Sequence, residues 1–246
     1  MRLYDEIIHD ILTSLEKQDK HILPVGAAAD PVSRDWQDAG KAMMILQSDM
    51  AYELGGHNLP AVGNTLVTTG KDFVPEDEII LIGKDLPEIT EDTPYARIAL
   101  VRVAEDSIGT GDRLYNTIRN IGYFRYHIYP KGFMLRVSSS NDRESVRVEA
   151  EALNEGLNFT AIGNAMLRAL HLHKEVEAVR IIFVTDPKVD YGRLQDGLKK
   201  TKQITATIDH MLKDVNMDCG SCGLQEICDE IEGLREMHFG MSEEHT

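Results

Sequence analysis

Residues 178–185 read Ala-Val-Arg-Ile-Ile-Phe-Val-Thr, and the fold is decided on this stretch. Its β-branched and aromatic residues follow one another with a single charge between them, the pattern of a buried strand. Asp186-Pro187 stops the strand, and a long helical pattern over 191–214 follows. Just upstream, 160–173 reads as a helix with Ile162, Met166, Leu167 and Leu170 on one side. Helix, buried strand and helix in succession call for a sheet with helices packed on it.

Working back toward the N-terminus, 4–15 has Leu3, Ile7, Ile8, Ile11, Leu12 and Leu15 at helical spacing. The segment 24–38 is a loop, and its lone Trp36 reads as a plug over the core rather than a stacking platform. Residues 42–54 suit either helix or strands and end in Gly55-Gly56. The run GGHNLPAVGNT that follows lacks the Lys-Ser/Thr of a phosphate loop, so a plain turn is the better reading. Short strands are expected at 66–68, 78–82 and 97–103, each bounded by Gly, Pro or Asp. The third runs through Gly109-Thr110-Gly111 into a helix over 113–121. Such a turn can hold an anion on a helix N-terminus, but the third glycine of the dinucleotide fingerprint is absent and a capped turn explains the same residues.

Two further strands are predicted at 123–129 (YFRYHIY) and 133–138 (FMLRVS), around Pro130-Lys131-Gly132. Arg119, Arg125, Lys131 and Arg136 make this aromatic stretch locally positive, which would suit an anionic ligand. The plainer reading has the aromatics packing on a neighbour and the arginines in solvent. The charged stretch 144–157 is read as helix. His171 and His173 are two apart on a helix and point different ways, so they do not share a metal. The resulting order is an α/β or α+β domain. It has a mixed sheet with flanking helices and a helical, Cys-containing C-terminal extension.

Composition sets bounds. At 246 residues the chain can bury a full core, and 42% apolar with 27% charged residues is ordinary for a globular protein. The apolar runs at 79–82 and 181–184 are far too short to cross a bilayer. The start, MRLYDEIIHDILTSLEK, carries acids in an amphipathic pattern and reads as neither signal nor transit peptide, so a cytoplasmic protein is expected. A net charge of −15 argues against nucleic acid as a partner.

The strongest chemical statement stands after the last helix. All three cysteines, Cys219, Cys222 and Cys228, fall in 217–228, Met-Asp-Cys-Gly-Ser-Cys-Gly-Leu-Gln-Glu-Ile-Cys. In a reducing compartment such a cluster reads as ligands or a redox group. The first pair chelates across the turn at Gly220-Ser221, and the chain then returns with Cys228 at a helix start, where thiolate is favoured. Three thiolates suit a four-iron four-sulfur (4Fe-4S) cluster with an outside ligand, or zinc completed by His238, iron-sulfur being the preferred reading. From Asp214 onward nine acidic residues face a single base, Arg235, so a cluster here would sit at low potential.

Taken together, residues 49–214 resemble the middle domain of acetyl-CoA synthase, the β subunit of the carbon monoxide dehydrogenase/acetyl-CoA synthase complex. The stretches that carry the likeness are DMAYELGG (49–56), LVTTGKDFVPEDEIILIGKDLPEI (66–89), Arg136-Val137-Ser138 and IIFVTD (181–186), in matching order and spacing. The resemblance implies that Cys219, Cys222 and Cys228 correspond to the first three cysteines of the family's nickel-iron-sulfur A-cluster. The position of a family tryptophan associated with coenzyme A binding falls near Arg125 of this sequence. Fewer residues precede the third cysteine here than in the family. The family's fourth cluster cysteine, its nickel-holding Cys-Gly-Cys and its N-terminal docking domain have no counterpart in this sequence, so acetyl-CoA synthesis by this polypeptide alone is not expected, and the catalytic residues stay unknown.

The division expected from the likeness is 1–40 as N-terminal helix and loop, 41–190 as the middle-domain-like unit, and 191–246 as the Cys-rich extension. The leading expectation is an iron-sulfur protein of anaerobic one-carbon metabolism, accessory or electron-transferring. Its partners would be of carbon monoxide dehydrogenase/acetyl-CoA synthase type, or a ferredoxin. The alternatives are a zinc-stabilised interaction module and a protein binding a coenzyme A-like anion through Arg125 and Arg136.

Overall fold

The structure, a computed structural model, describes residues 3–105, 112–138 and 143–212. Along the chain run α1 (Asp5–Ser14), β1 (His21–Leu23), α2 (Pro31–Arg34), β2 (Met50–Leu54), β3 (Ala61–Thr68), β4 (Glu78–Ile82) and β5 (Tyr95–Val103). These are followed by α3 (Asp112–Gly122), β6 (Phe133–Val137), β7 (Glu144–Glu149), α4 (Ala150–Asn154), α5 (Phe159–Leu170), β8 (Val176–Val184) and α6 (Tyr191–Leu212).

Two sheets result. The larger has the order β1-β4-β8-β5-β3 and is mixed: β8 runs parallel to β4 and antiparallel to β5, and β5 runs parallel to β3. The central β8 contains the 178–185 stretch. Its Val179, Ile181, Phe183 and Val184 are fully buried, and Ile182 is nearly so, because both faces of this sheet are covered. On one face lie α1 and α6. There Asn64 of β3 donates to Thr201 Oγ1 of α6 at 3.1 Å, and Tyr4 shares a 3.1 Å hydrogen bond with Thr205. The other face takes α5, whose Phe159 stacks on Phe183 of β8 with ring centroids 4.4 Å apart.

The smaller sheet, β2-β7-β6, is antiparallel throughout. Phe133 of β6 meets Phe159 edge-on at 6.4 Å, so one line of phenylalanines runs from the small sheet through the start of α5 to the centre of the large one. An isolated antiparallel bridge, Val62 to Arg143, joins the two sheets at the start of β7. Trp36 is a plug as expected: it is buried, and its Nε1 donates to the Lys131 carbonyl at 2.8 Å.

Besides the short α2 within the loop read at 24–38 and the start of β3 already at Ala61, two segments depart from the sequence reading. Residues 144–157 are not one helix. Glu144–Glu149 is strand and only Ala150–Asn154 is helical, because Val146 and Val148 alternate with Ser145 and Arg147 at period two and their side chains fill the core. Nor is 123–129 a strand. Tyr123–Tyr126 continues α3 as a 3-10 turn in which residues three apart eclipse, bringing the Tyr123 and Tyr126 rings within 5.7 Å.

Candidate functional site

Period-two alternation divides the small sheet into an inner and an outer face. The registers pair Tyr52 with Val148 and Phe133 with Val148, Leu54 with Val146 and Leu135 with Val146: these face the core. The residues between them pair as Glu53 with Arg147 and Arg136 with Ser145, and so share the outer face. A loop covers part of that face: Ile45 is buried there, its carbonyl accepting from Arg147 Nη1 at 2.9 Å. The uncovered part is a cleft of about 460 Å³, lined by Glu53, the Gly55–His57 turn, Arg136–Ser138, Arg143, Ser145 and Arg147.

Three guanidinium groups and one carboxylate line this cleft, in a chain whose net charge is −15. Arg136 forms an ion pair with Glu53 and keeps 45% of its side chain exposed, so it remains within reach of a ligand. Arg143 donates from Nη2 to the carbonyls of Gly55 (2.7 Å) and Leu59 (2.8 Å) and thereby holds the turn that forms one wall. Gly55 sits at φ +66° with Ala61 pressed close, a backbone state that costs a residue with a Cβ and not glycine. The plain-turn reading of GGHNLPAVGNT holds for 55–60, whereas 61–65 already belongs to β3. Arg147 Nε is buried and makes no hydrogen bond within the described residues, while Nη1 of the same guanidinium is held by the Ile45 carbonyl. Planar guanidinium groups on neighbouring strands are suited to the bidentate binding of phosphate or carboxylate.

Behind the cleft lies a buried charge cluster. Arg97 of β5 donates from Nε to Glu144 Oε1 at 2.6 Å and from Nη2 to Oε2 at 2.7 Å, with 0% and 1% of the two side chains exposed. Burial opposes the Arg97 charge, but the Glu144 carboxylate outweighs it and holds the guanidinium above its ordinary pKa. Tyr95, two residues earlier on the same strand, is pushed well above the usual phenol range by burial and by Glu144.

Of the residues singled out in the sequence, Arg136 lines the cleft and Arg125 does not. Arg125 instead lies 3.7 Å from Glu144 Oε2 and 5.1 Å over the Tyr126 ring. Cys219, Cys222, Cys228 and His238 lie outside the described residues, as does the Gly109-to-Gly111 turn. Among the described residues no group of three His, Cys, Asp or Glu side chains could hold a metal ion, and no helix is long and apolar enough to cross a membrane. Sequence reading missed Glu53, Arg143, Ser145 and Arg147. For the last three the signal was the alternation in Arg-Glu-Ser-Val-Arg-Val-Glu (143–149), which sets two arginines and a serine on one side of a strand.

The family model of the CO dehydrogenase/acetyl-CoA synthase complex beta subunit matches residues 37–189. The chain belongs to this family. The matched span runs from the loop after α2 to the end of β8 and its turn, so both sheets except β1, and every residue lining the cleft, fall within it. No curated protein matches the chain.

Proposed function

We propose that this acetyl-CoA-synthase-related protein of CO/acetyl-CoA metabolism binds the phosphate groups of a coenzyme A-like ligand on the outer face of its small sheet. One observation carries the reading: Arg136, Arg143 and Arg147 converge on a single cleft against one carboxylate, Glu53. A cleft of about 460 Å³ lies within the usual range of small-ligand sites, roughly 300–1,000 Å³. Phosphate oxygens offer the bidentate acceptors that guanidinium groups bind best.

Calorimetric titration of coenzyme A tests this. Wild-type protein is expected to release heat on binding, and Arg136→Ala to weaken affinity about tenfold or more by removing a charge-assisted contact. Arg125→Ala should weaken it less, since Arg125 stands outside the cleft. Identical titrations for wild type and Arg136→Ala would remove the proposal.

The cysteine triplet supports a second, separate role. Cys219, Cys222 and Cys228 form a donor set of three thiolates that fits an iron-sulfur cluster, with His238 as the added ligand if the metal is zinc. Such a cluster would supply one-electron transfer. The chain would then act as an accessory or electron carrier beside partners of carbon monoxide dehydrogenase/acetyl-CoA synthase type, or a ferredoxin. Anaerobic reconstitution with iron and sulfide should give a coloured protein. A colourless one that takes up stoichiometric zinc would end the electron-transfer role.

A further inference from the structure

We infer that Arg97 and Glu144 are positioning residues: their buried pair sets the register of β7 and so decides that Ser145 and Arg147 face the cleft. The inference rests on the cleft reading above for its consequence, although its structural half stands alone.

Glu144 is out of place by composition. On the inner face of β7 the positions two and four residues on are Val146 and Val148, both fully buried, and Glu144 occupies the same row with only 1% of its side chain exposed. Such a charge is tolerated only when paired. The large sheet supplies both the partner and the space. Arg97 reaches from β5 with two nitrogens, and Phe124 lies 5.1 Å from its guanidinium. On the neighbouring strand the residue beside Arg97 is Gly63, where a Cβ would lie 2.1 Å from Glu144 Oε2. The slot is shaped to one side chain.

A slip of β7 by one residue turns every side chain to the opposite face. It would bring either Arg143 or Ser145 against Arg97. Arg143 would set two buried cations together, and Ser145 is too short and uncharged to neutralise one. Either slip would also send Ser145 and Arg147 inward, away from the cleft. A one-residue slip would also expose Val146 and Val148, so apolar burial and the charge pair select the same register, and the pair adds the cost of a stranded Arg97 to either slip. Selecting register is a role for which buried polar groups are well suited.

The test is hydrogen exchange of the β6 and β7 amides in the full chain, together with the affinity for coenzyme A, in wild type, Arg97→Lys and Arg97→Met/Glu144→Met. In the double variant β5 and β8 should keep their protection. The β6 and β7 amides should exchange at least tenfold faster, and affinity should fall at least tenfold. Arg97→Lys, which keeps the charge but loses the two-pronged contact, should fall between wild type and the double variant, and it decides the matter if the double variant does not fold. Wild-type exchange across β6 and β7 in either variant that folds would overturn the inference. If wild type does not bind coenzyme A, the ligand proposal fails by itself and the exchange comparison still decides the role of the pair.

Discussion

The two sheets of this protein handle charge in opposite ways. In the large sheet, covered on both faces, cations are pushed toward strand ends or paired where they stand. Arg102 is tied to Glu177 and to the Val74 and Pro75 carbonyls, and Arg180 to Glu78. In the small sheet a single face stays uncovered, and the arginines gather on it around one acid. A sheet closed on both sides can serve as a scaffold, whereas one left open on a side can meet a ligand. Arg97 and Glu144 are the exception that joins them, a charge pair sealed between the sheets.

The largest way to disturb this contrast is to break the joint. Glu144→Ala leaves the Arg97 guanidinium buried without a counter-charge and should cost about 3–5 kcal/mol, read as a fall in the urea midpoint. Replacing both partners by methionine should recover part of that loss, because Arg97 is then no longer stranded and only the partly exposed Arg125 loses its ion pair with Glu144.

A middle-sized effect belongs to the large sheet alone. Burial raises the Tyr4 phenol from 10.0 to about 12, with the Thr205 hydrogen bond a smaller opposing influence. Its folded-state pKa exceeds the unfolded one, so its contribution is intact below pH 10 and is lost as pH climbs toward 12. That loss amounts to roughly 2–3 kcal/mol. Tyr4→Phe should therefore flatten the alkaline part of the stability curve measured by urea unfolding at successive pH values.

The smallest effect sharpens the view of the open face. Glu53→Gln removes the one carboxylate among the cleft-lining residues and should tighten coenzyme A binding about two- to threefold, roughly 0.5 kcal/mol. The gain should shrink as salt is raised, because a screened carboxylate repels phosphate less.

The same contrast explains what could be read from the sequence. The large sheet and its helices were legible because burial on both faces writes long apolar runs, as in β8, and one-sided burial of α1 and α5 writes a helical period. β7 was misread because charge density outweighed the alternation of Val146 and Val148 in a run of only six residues. The aromatic run 123–126 looked like a strand by composition, while its contacts are those of residues three and four apart, as when Arg119 Nε donates to Tyr123 Oη at 3.1 Å. The cleft was half visible. Arg136 stood out in a cationic stretch, but charge counted along the chain groups it with Arg125, whereas strand pairing groups it with Ser145 and Arg143. Convergence across strands depends on register, which in turn hangs on the Gly63 slot, and a lone glycine in a sequence does not announce what fills the space beside it.

The most direct test of the anion site is the side-chain spectrum of ¹⁵N-labelled arginine as coenzyme A is added. The Nε–H signals of Arg136 and Arg147 should move in a saturable way, while those of Arg102 and Arg180 in the large sheet stay where they are. Saturable shifts confined to the large-sheet arginines, or none at Arg136 and Arg147 while the ligand is bound, would contradict it.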